Sequence, residues 1–232
     1  MMQSQEIKDM ATSLGADFVG IASAERLTEL PGYKPDDLVP GAKSVIVVGK
    51  RLLRGSLAKG RGRPVAWATI HLNLKLNEII YQIAAAFEDE GQQAFPVFFL
   101  PMTFLPPDDL KSKELILTTP NFSYRHAAVA AGLGEMGKNN LFLHPKFGAR
   151  TRLAAIITDA PLAADGLATK KYCTWPECKA CIDQCPSKAL QLDDRHIFDR
   201  CNKYHNANLH LLGYGSCSMC QHVCPVGDSA KA

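Results

Sequence analysis

The sequence predicts an α+β fold in two parts, a layered domain over residues 1–165 and a small cysteine-bound domain over 166–232. Three observations carry the prediction. Helical apolar spacing alternates with short β-branched runs as far as about residue 165, all eight cysteines fall between Cys173 and Cys224, and Asp165-Gly166 offers a turn between the two regions. Composition agrees: 232 residues, 47% hydrophobic and 21% charged, exclude disorder and fibrous repeats. Lys plus Arg is 26 and Asp plus Glu is 23, and a net +3 is too weak to argue for general nucleic-acid binding.

Taken in order, Ile7, Met10, Ala11 and Leu14 recur at helical spacing before Gly15, which predicts an amphipathic helix closed by a glycine. Strands are expected over Asp17–Ala22 and, after Pro40-Gly41, over Ser44–Val48. Ala66–Glu90 reads as one long helix stopped by Gly91, with Ile70, Leu74, Asn77, Tyr81, Ala84 and Phe87 or their neighbours forming its inward stripe. A strand over Ala94–Leu100, a proline-rich loop over Pro101–Pro107, a helix over Tyr124–Ala131 and a strand over Arg152–Thr158 complete the first part. The longest apolar run, Phe95–Leu105, is broken by Pro96 and Pro101 and falls short of the roughly 18 to 20 residues that cross a bilayer. The N-terminal stretch Met1–Asp9 is polar and lacks a twin-arginine pair, so the expectation is a cytoplasmic protein with no membrane partner.

The cysteines follow the order Cys173-x4-Cys178-x2-Cys181-x3-Cys185-Pro186, Cys201, Cys217-x2-Cys220-x3-Cys224-Pro225. Each half ends in C-x2-C-x3-C-P, the ending of the bacterial two-cluster ferredoxin run, in which the fourth cysteine of each run ligates the other cluster. The first cysteine of each half is displaced, which is tolerable because a first ligand needs only a chain path back to the iron. Crossing the fourth ligands assigns Cys173, Cys178, Cys181 and Cys224 to one [4Fe-4S] cluster and Cys185, Cys201, Cys217 and Cys220 to a second. A disulfide framework and a pair of tetrahedral zinc sites compete with this assignment. Disulfides suit an exported chain, and zinc gives no reason for the third cysteine at x3 or for the repeated Cys-Pro.

Gly132-Leu133-Gly134-Glu135-Met136-Gly137-Lys138-Asn139 satisfies G-x-G-x-x-G and nearly satisfies the phosphate-loop pattern. It follows a helix-like alanine run instead of a strand, and Asn139 stands where a phosphate loop has Ser or Thr, so nucleotide binding is disfavoured. What remains is close backbone approach, either to a ligand or to the protein's own chain. Lys50, Arg51, Arg54, Lys59, Arg61 and Arg63 form a basic stretch without an acid, which reads as a solvated loop or as an anion-facing one. Among the histidines, His71 and His126 are the candidates, a hydrogen-bonded structural role being the commoner fate of a lone His.

The succession of Leu38–Val48 with its Val39-Pro40-Gly41, then Ala131–Lys138, then Thr158-Asp159-Ala160-Pro161-Leu162, then the two cysteine halves resembles the corrinoid iron-sulfur reductases, the superfamily of reductive dehalogenases and epoxyqueuosine reductases. The resemblance covers nearly the whole chain. It implies a nitroreductase-like domain holding a base-off cobalamin, followed by a ferredoxin-like domain with two [4Fe-4S] clusters that passes electrons to cobalt singly. It implies further that Gly132, Leu133, Gly134, Gly137 and Asn139 lie along the corrin, and such folds commonly pair as homodimers. Flavin is the alternative cofactor, since nitroreductase-like folds commonly bind one.

Two departures from the resemblance bear on activity. Where epoxyqueuosine reductases carry an Asp in a D-T-x-P string, this chain reads Leu117-Thr118-Thr119-Pro120, and it ends eight residues after Cys224, where those enzymes continue into a helical-repeat domain. The expectation is therefore no nucleic-acid partner. The dehalogenases' export signal and longer substrate region are absent too. If a substrate is protonated, Tyr124 is the best phenol, with Lys138 as its electrostatic partner and Arg125 or His126 as weaker choices. Two functions follow from these readings. One is a cobalamin-dependent reductase acting on an unknown small-molecule substrate with electrons from a low-potential donor; the other is a non-enzymatic protein relaying electrons to a corrinoid or flavin partner.

Overall fold

Continuous runs such as Val45-Ile46-Val47-Val48 suit strands covered on both faces, and that is where they are found in the computed structural model. The structure describes residues 2–29, 32–60, 62–99, 122–193, 197–208 and 217–227. The expected Pro101–Pro107 loop and Leu117–Pro120, together with Arg61, His196 and His210, lie outside the described residues. In chain order the elements are α1 (Ser4–Ser13), β1 (Phe18–Ser23), α2 (Pro35–Leu38), β2 (Ser44–Arg51), α3 (Arg54–Leu57), α4 (Arg63–Asp89), β3 (Ala94–Val97) and α5 (Tyr124–Ala130). The short strands β4 (Glu135–Met136) and β5 (Phe142–Leu143) follow, then β6 (Thr151–Thr158), α6 (Ala180–Asp183), α7 (Phe198–Ala207) and α8 (Met219–His222). This is a mixed α/β fold, and among the described residues no helix is long and apolar enough to cross a membrane.

The chain divides into two units. The first comprises Met1–Lys50, Leu72–Gly134 and Arg152–Thr169; the second comprises Arg51–His71, Glu135–Thr151 and Lys170–Ala232. In the first unit a four-stranded sheet has the order β1-β2-β6-β3, with β1 antiparallel to β2 and β3 antiparallel to β6. Register places Ile21 opposite Ile46, so these two share a face with Val48, Ala154 and Ile156, and that face packs on Ile7 and Ala11 of α1 and on Leu76, Ile80, Ile83 and Phe87 of α4. On the opposite face a Cβ at Gly20 would lie 2.8 Å from Leu133 Cγ and 2.9 Å from the Ala131 carbonyl oxygen, so the chain leaving α5 presses directly on the sheet backbone.

One expectation about the long helix needs correction. Leu74 and Tyr81, assigned to the inward stripe of the long helix, are 49% and 58% exposed, and the buried row runs through Asn73, Leu76, Ile80, Ile83 and Phe87. Both rows have helical period; the sheet takes the one richer in β-branched side chains, and Tyr81 keeps its hydroxyl in water. Each of the two units is built from three stretches of chain. Asp165 belongs to the first unit: its carboxylate accepts the Ile21 N–H at 2.8 Å and pairs with Lys8, and its own N–H donates to Ile21 O at 2.8 Å. Arg26 caps the junction from Nη1 through the carbonyls of Asp165 and Ala130 at 2.7 and 3.0 Å. Residues 51–71, in turn, are claimed by the cysteine unit, where the Ser218 N–H donates to Gly60 O at 2.9 Å.

Candidate functional site

In the second unit, one thiol group is assembled from three stretches of chain. Cys173, Cys178, Cys181 and Cys224 line a single cavity together with Lys138, Asn139 and Pro225. The x2 spacing brings Cys178 and Cys181 together because the chain turns into α6, with the Cys178 N–H bonded to Thr174 O at 3.1 Å. Cys173 is set by an acid that sequence reading missed: the Glu135 carboxylate accepts the Cys173 N–H at 2.6 Å and also the Tyr172 N–H. The Lys138 N–H points at Cys173 Sγ, 3.5 Å away. Glu135 is 7% exposed, and its position inside a glycine pattern was the signal that went unused.

Electrostatics separates the cysteines into two groups. Burial pushes the Cys181 thiol up to about 11, followed by the neighbouring charges of Cys224, Cys173 and Cys178. Burial likewise drives Cys201 to about 11, with Cys217 and Cys185 as the repelling neighbours. Cys220 is pushed up to about 12 by burial and then by Cys217, Cys201, Cys185 and, last, Cys181. Burial also raises Cys185, but hydrogen bonds from the Ser187 hydroxyl and the backbone of residues 187, 189 and 190 outweigh it and leave the thiol below its usual value.

The donor set fits an iron-sulfur core. Two groups of four thiols, each mutually repelling when charged, are stabilised by a cationic centre that deprotonates and binds them. Among the described residues no group of three or more His, Cys, Asp or Glu side chains is placed to hold a single metal ion. Among the described residues no two of the eight cysteines are joined by a disulfide.

The glycine segment approaches other parts of the chain closely. Gly132 has φ +69°, and a Cβ there would lie 1.9 Å from Gly166 O; at Gly137 it would lie 2.7 Å from Asn139 Oδ1 and from Leu143 Cδ1. Leu133 packs on Gly20, and Asn139, 5% exposed, donates to Cys220 O at 3.3 Å and accepts the Leu141 N–H at 3.1 Å. Gly132, Leu133, Gly137 and Asn139 thus each make close contacts with the protein's own chain. Lys138 holds its ammonium 4.3 Å from the centroid of the Trp175 ring.

Tyr124 sits half-buried in the first unit, its hydroxyl donating to Val97 O at 3.0 Å. Burial pushes its pKa up to about 12, and its electrostatic partner is Arg152, whose charge works in the opposite direction. Arg152 is itself held by Asn73 Oδ1 at 3.0 Å, and neither residue was singled out from the sequence, because an Arg beginning a strand and an Asn inside a helix carry no motif. His126 Nδ1 is 2.6 Å from Ser123 Oγ, an ordinary satisfied histidine.

No protein-family model matches the chain. Its relatives include an epoxyqueuosine reductase from Cyclobacterium marinum, 34% identical over 119 residues that make up 46% of this chain and 37% of that protein. A tetrachloroethene reductive dehalogenase from Desulfitobacterium hafniense is 44% identical over 66 residues, 27% of this chain and 12% of the dehalogenase. The matched segments therefore span well under half of either relative. Among solved structures, an epoxyqueuosine reductase with a modified tRNA stem loop superposes with TM-score 0.65 at 20% identity, covering 97% of this chain and 65% of that one. A reductive dehalogenase described as B12-dependent gives TM-score 0.71 at 21% identity, covering 96% of this chain and 32% of the other. The tRNA stem loop belongs to the first of these neighbours, and it stands against the expectation of no nucleic-acid partner. Epoxyqueuosine reductases and reductive dehalogenases are the homologues of this chain, and it shares their mixed α/β fold.

Proposed function

We propose that the chain is an iron-sulfur reductase, with one [4Fe-4S] cluster held by Cys173, Cys178, Cys181 and Cys224 and a second by Cys185, Cys201, Cys217 and Cys220. The observation that carries this reading is the sorting of eight thiols into two groups of four across the two sequence halves, with Cys224 beside Cys181 and Cys185 beside Cys201 and Cys220. When bound, such clusters supply single electrons at a potential set by hydrogen bonds to sulfur and by burial. This chain's own contribution is the Lys138 N–H aimed at Cys173 Sγ and the Ser187 hydroxyl 3.4 Å from Cys185 Sγ.

The B12-dependence of the dehalogenase neighbour makes a corrinoid the proposed electron acceptor of the reductase. The commitment of Gly132, Leu133, Gly137 and Asn139 to internal contacts favours a second reading, in which the chain relays electrons to a corrinoid or flavin on a partner. Titration of the anaerobically purified protein separates the two. Stoichiometric binding of cob(II)alamin with a base-off EPR spectrum supports the bound corrinoid; cluster-loaded protein that ignores cobalamin supports the relay. Either way about eight irons and eight sulfides per chain are expected, and zinc in their place overturns both.

Tyr124 is the proposed proton donor. A phenol pushed up to about 12 stays protonated through neutral pH, and Arg152 stabilises the phenolate left behind. Tyr124→Phe is expected to cost about 1 kcal/mol of stability from the lost bond to Val97 O, read by urea denaturation. Once a substrate is in hand, it is also expected to slow the protonation step about a hundredfold.

A further inference from the structure

Glu135 is a buried acid, 7% exposed, on the short strand β4, whose register pairs Glu135 with Leu143 and Met136 with Phe142. The Gly137 N–H closes this ribbon onto Leu141 O at 2.9 Å, so Glu135 and Lys138 stand on one braced turn. What the turn grips is the displaced first cysteine. Four residues separate Cys173 from Cys178, too many for the shared turn that an x2 spacing gives, and 170–174 belongs to no helix or strand. Support for Cys173 has to come from elsewhere in the chain.

The two carboxylate oxygens of Glu135 do different things. Oε1 accepts the Cys173 N–H at 2.6 Å and also the Tyr172 N–H. Oε2 faces the Lys171 ammonium 3.7 Å away, on a lysine side chain that is 84% exposed. A cation so open to water offsets little of a buried charge. Burying a charge is costly, and a neutral amide oxygen would accept the same two N–H groups with less to desolvate. Position alone therefore does not account for a carboxylate here. A fixed negative charge in a water-poor setting opposes the arrival of an electron nearby, because like charges repel more strongly as the dielectric falls. Iron-sulfur potentials follow the net charge, hydrogen bonding and exposure of their surroundings in just this way.

We propose, resting on the cluster assignment already made, that Glu135 is a positioning residue with two tasks. Through the Tyr172 and Cys173 N–H groups it sets Cys173 as a ligand of the first cluster, and its charge holds that cluster's reduction potential below the value a neutral group at this position would give. Because both N–H groups fall on Oε1, the tasks are separable. Glu135→Gln keeps that oxygen and exchanges only Oε2, so it removes the charge and retains the position; Glu135→Ala removes both.

Potentiometric titration of the anaerobically purified full chain, followed by EPR and with iron measured on the same samples, tests both tasks. Glu135→Gln is expected to keep about eight irons per chain. At a fixed ambient potential it should raise the reduced-to-oxidised ratio of one cluster about tenfold, an upward shift of about 59 mV for one electron. The wave that moves should be the one that Cys224→Ser abolishes, with the other wave unchanged. Glu135→Ala is expected to fall to about four irons; if it does not fold, the glutamine variant carries the test. The proposal is overturned if Glu135→Gln changes neither ratio by as much as twofold, shifts both waves alike, or loses iron, or if folded Glu135→Ala keeps all of its iron. A failure of the cluster assignment looks different, since the unaltered chain then holds zinc or shows no wave for Cys224→Ser to abolish.

Discussion

Cys224→Ser is expected to remove one cluster and spare the other, taking iron from about eight to about four per chain in anaerobic preparations. Cys224 lies at the end of the second cysteine half, 43 residues beyond Cys181 by position, yet lines the same cavity as Cys173, Cys178 and Cys181. A serine oxygen is a poor substitute for a thiolate on iron, so the cluster loses a corner and becomes labile. The crossed arrangement makes a further demand. Cys181→Ser added to Cys224→Ser should release no more iron than either alone, because both act on one cluster, whereas Cys220→Ser added to Cys224→Ser should leave almost none. Non-additivity of this kind reports shared membership directly. If instead the Cys220 and Cys224 variants are the redundant pair, each sequence half holds its own cluster and the assignment falls.

The parts of this protein legible in its sequence are those set by short-range chemistry. Ile7 and Ala11 announce α1, Gly15 with φ +98° ends it, and the β-branched run beginning at Ser44 is a strand buried on both sides. The approach of Cys178 to Cys181 was likewise readable, because an x2 spacing puts both sulfurs on one turn of chain. What could not be read depends on long-range packing. Both candidate rows of α4 have the same period, and only the sheet decides that Leu76 and Ile80 turn inward while Leu74 and Tyr81 face solvent. The glycine pattern gave the need for close approach but not its object, which at Gly132 is the carbonyl of Gly166. Glu135 holds the Cys173 amide from 38 positions away, and the glycine pattern around it does not point to that partner.

The same distinction between local and long-range causes can be measured at Gly148. Its φ is +56°, and a Cβ would fall 1.7 Å from Val226 O; reciprocally, a Cβ on Gly227 would fall 2.2 Å from Gly148 N. Two backbones cross here with no room for a side chain, and Gly148 is further pinned by N–H donation to His144 O at 2.7 Å and acceptance of the His144 N–H at 3.0 Å. Gly148→Ala therefore carries two penalties, the left-handed conformation, worth about 1 to 2 kcal/mol, and a collision that no rotamer relieves. The chain can escape only by moving 226–227, two residues beyond Cys224. Destabilisation of about 4 kcal/mol or more is expected, at the extreme end for a single substitution, together with loss of the iron assigned to the Cys224 group. Gly41→Ala is the control: φ is +74° but nothing lies within 4 Å of the added carbon. It should show the conformational penalty alone, about 1 to 2 kcal/mol, with iron retained. Denaturant unfolding of both variants beside iron analysis separates the two causes, and equal losses at the two sites would mean that the crossing at Gly148 yields to a side chain and does not hold Cys224 in place.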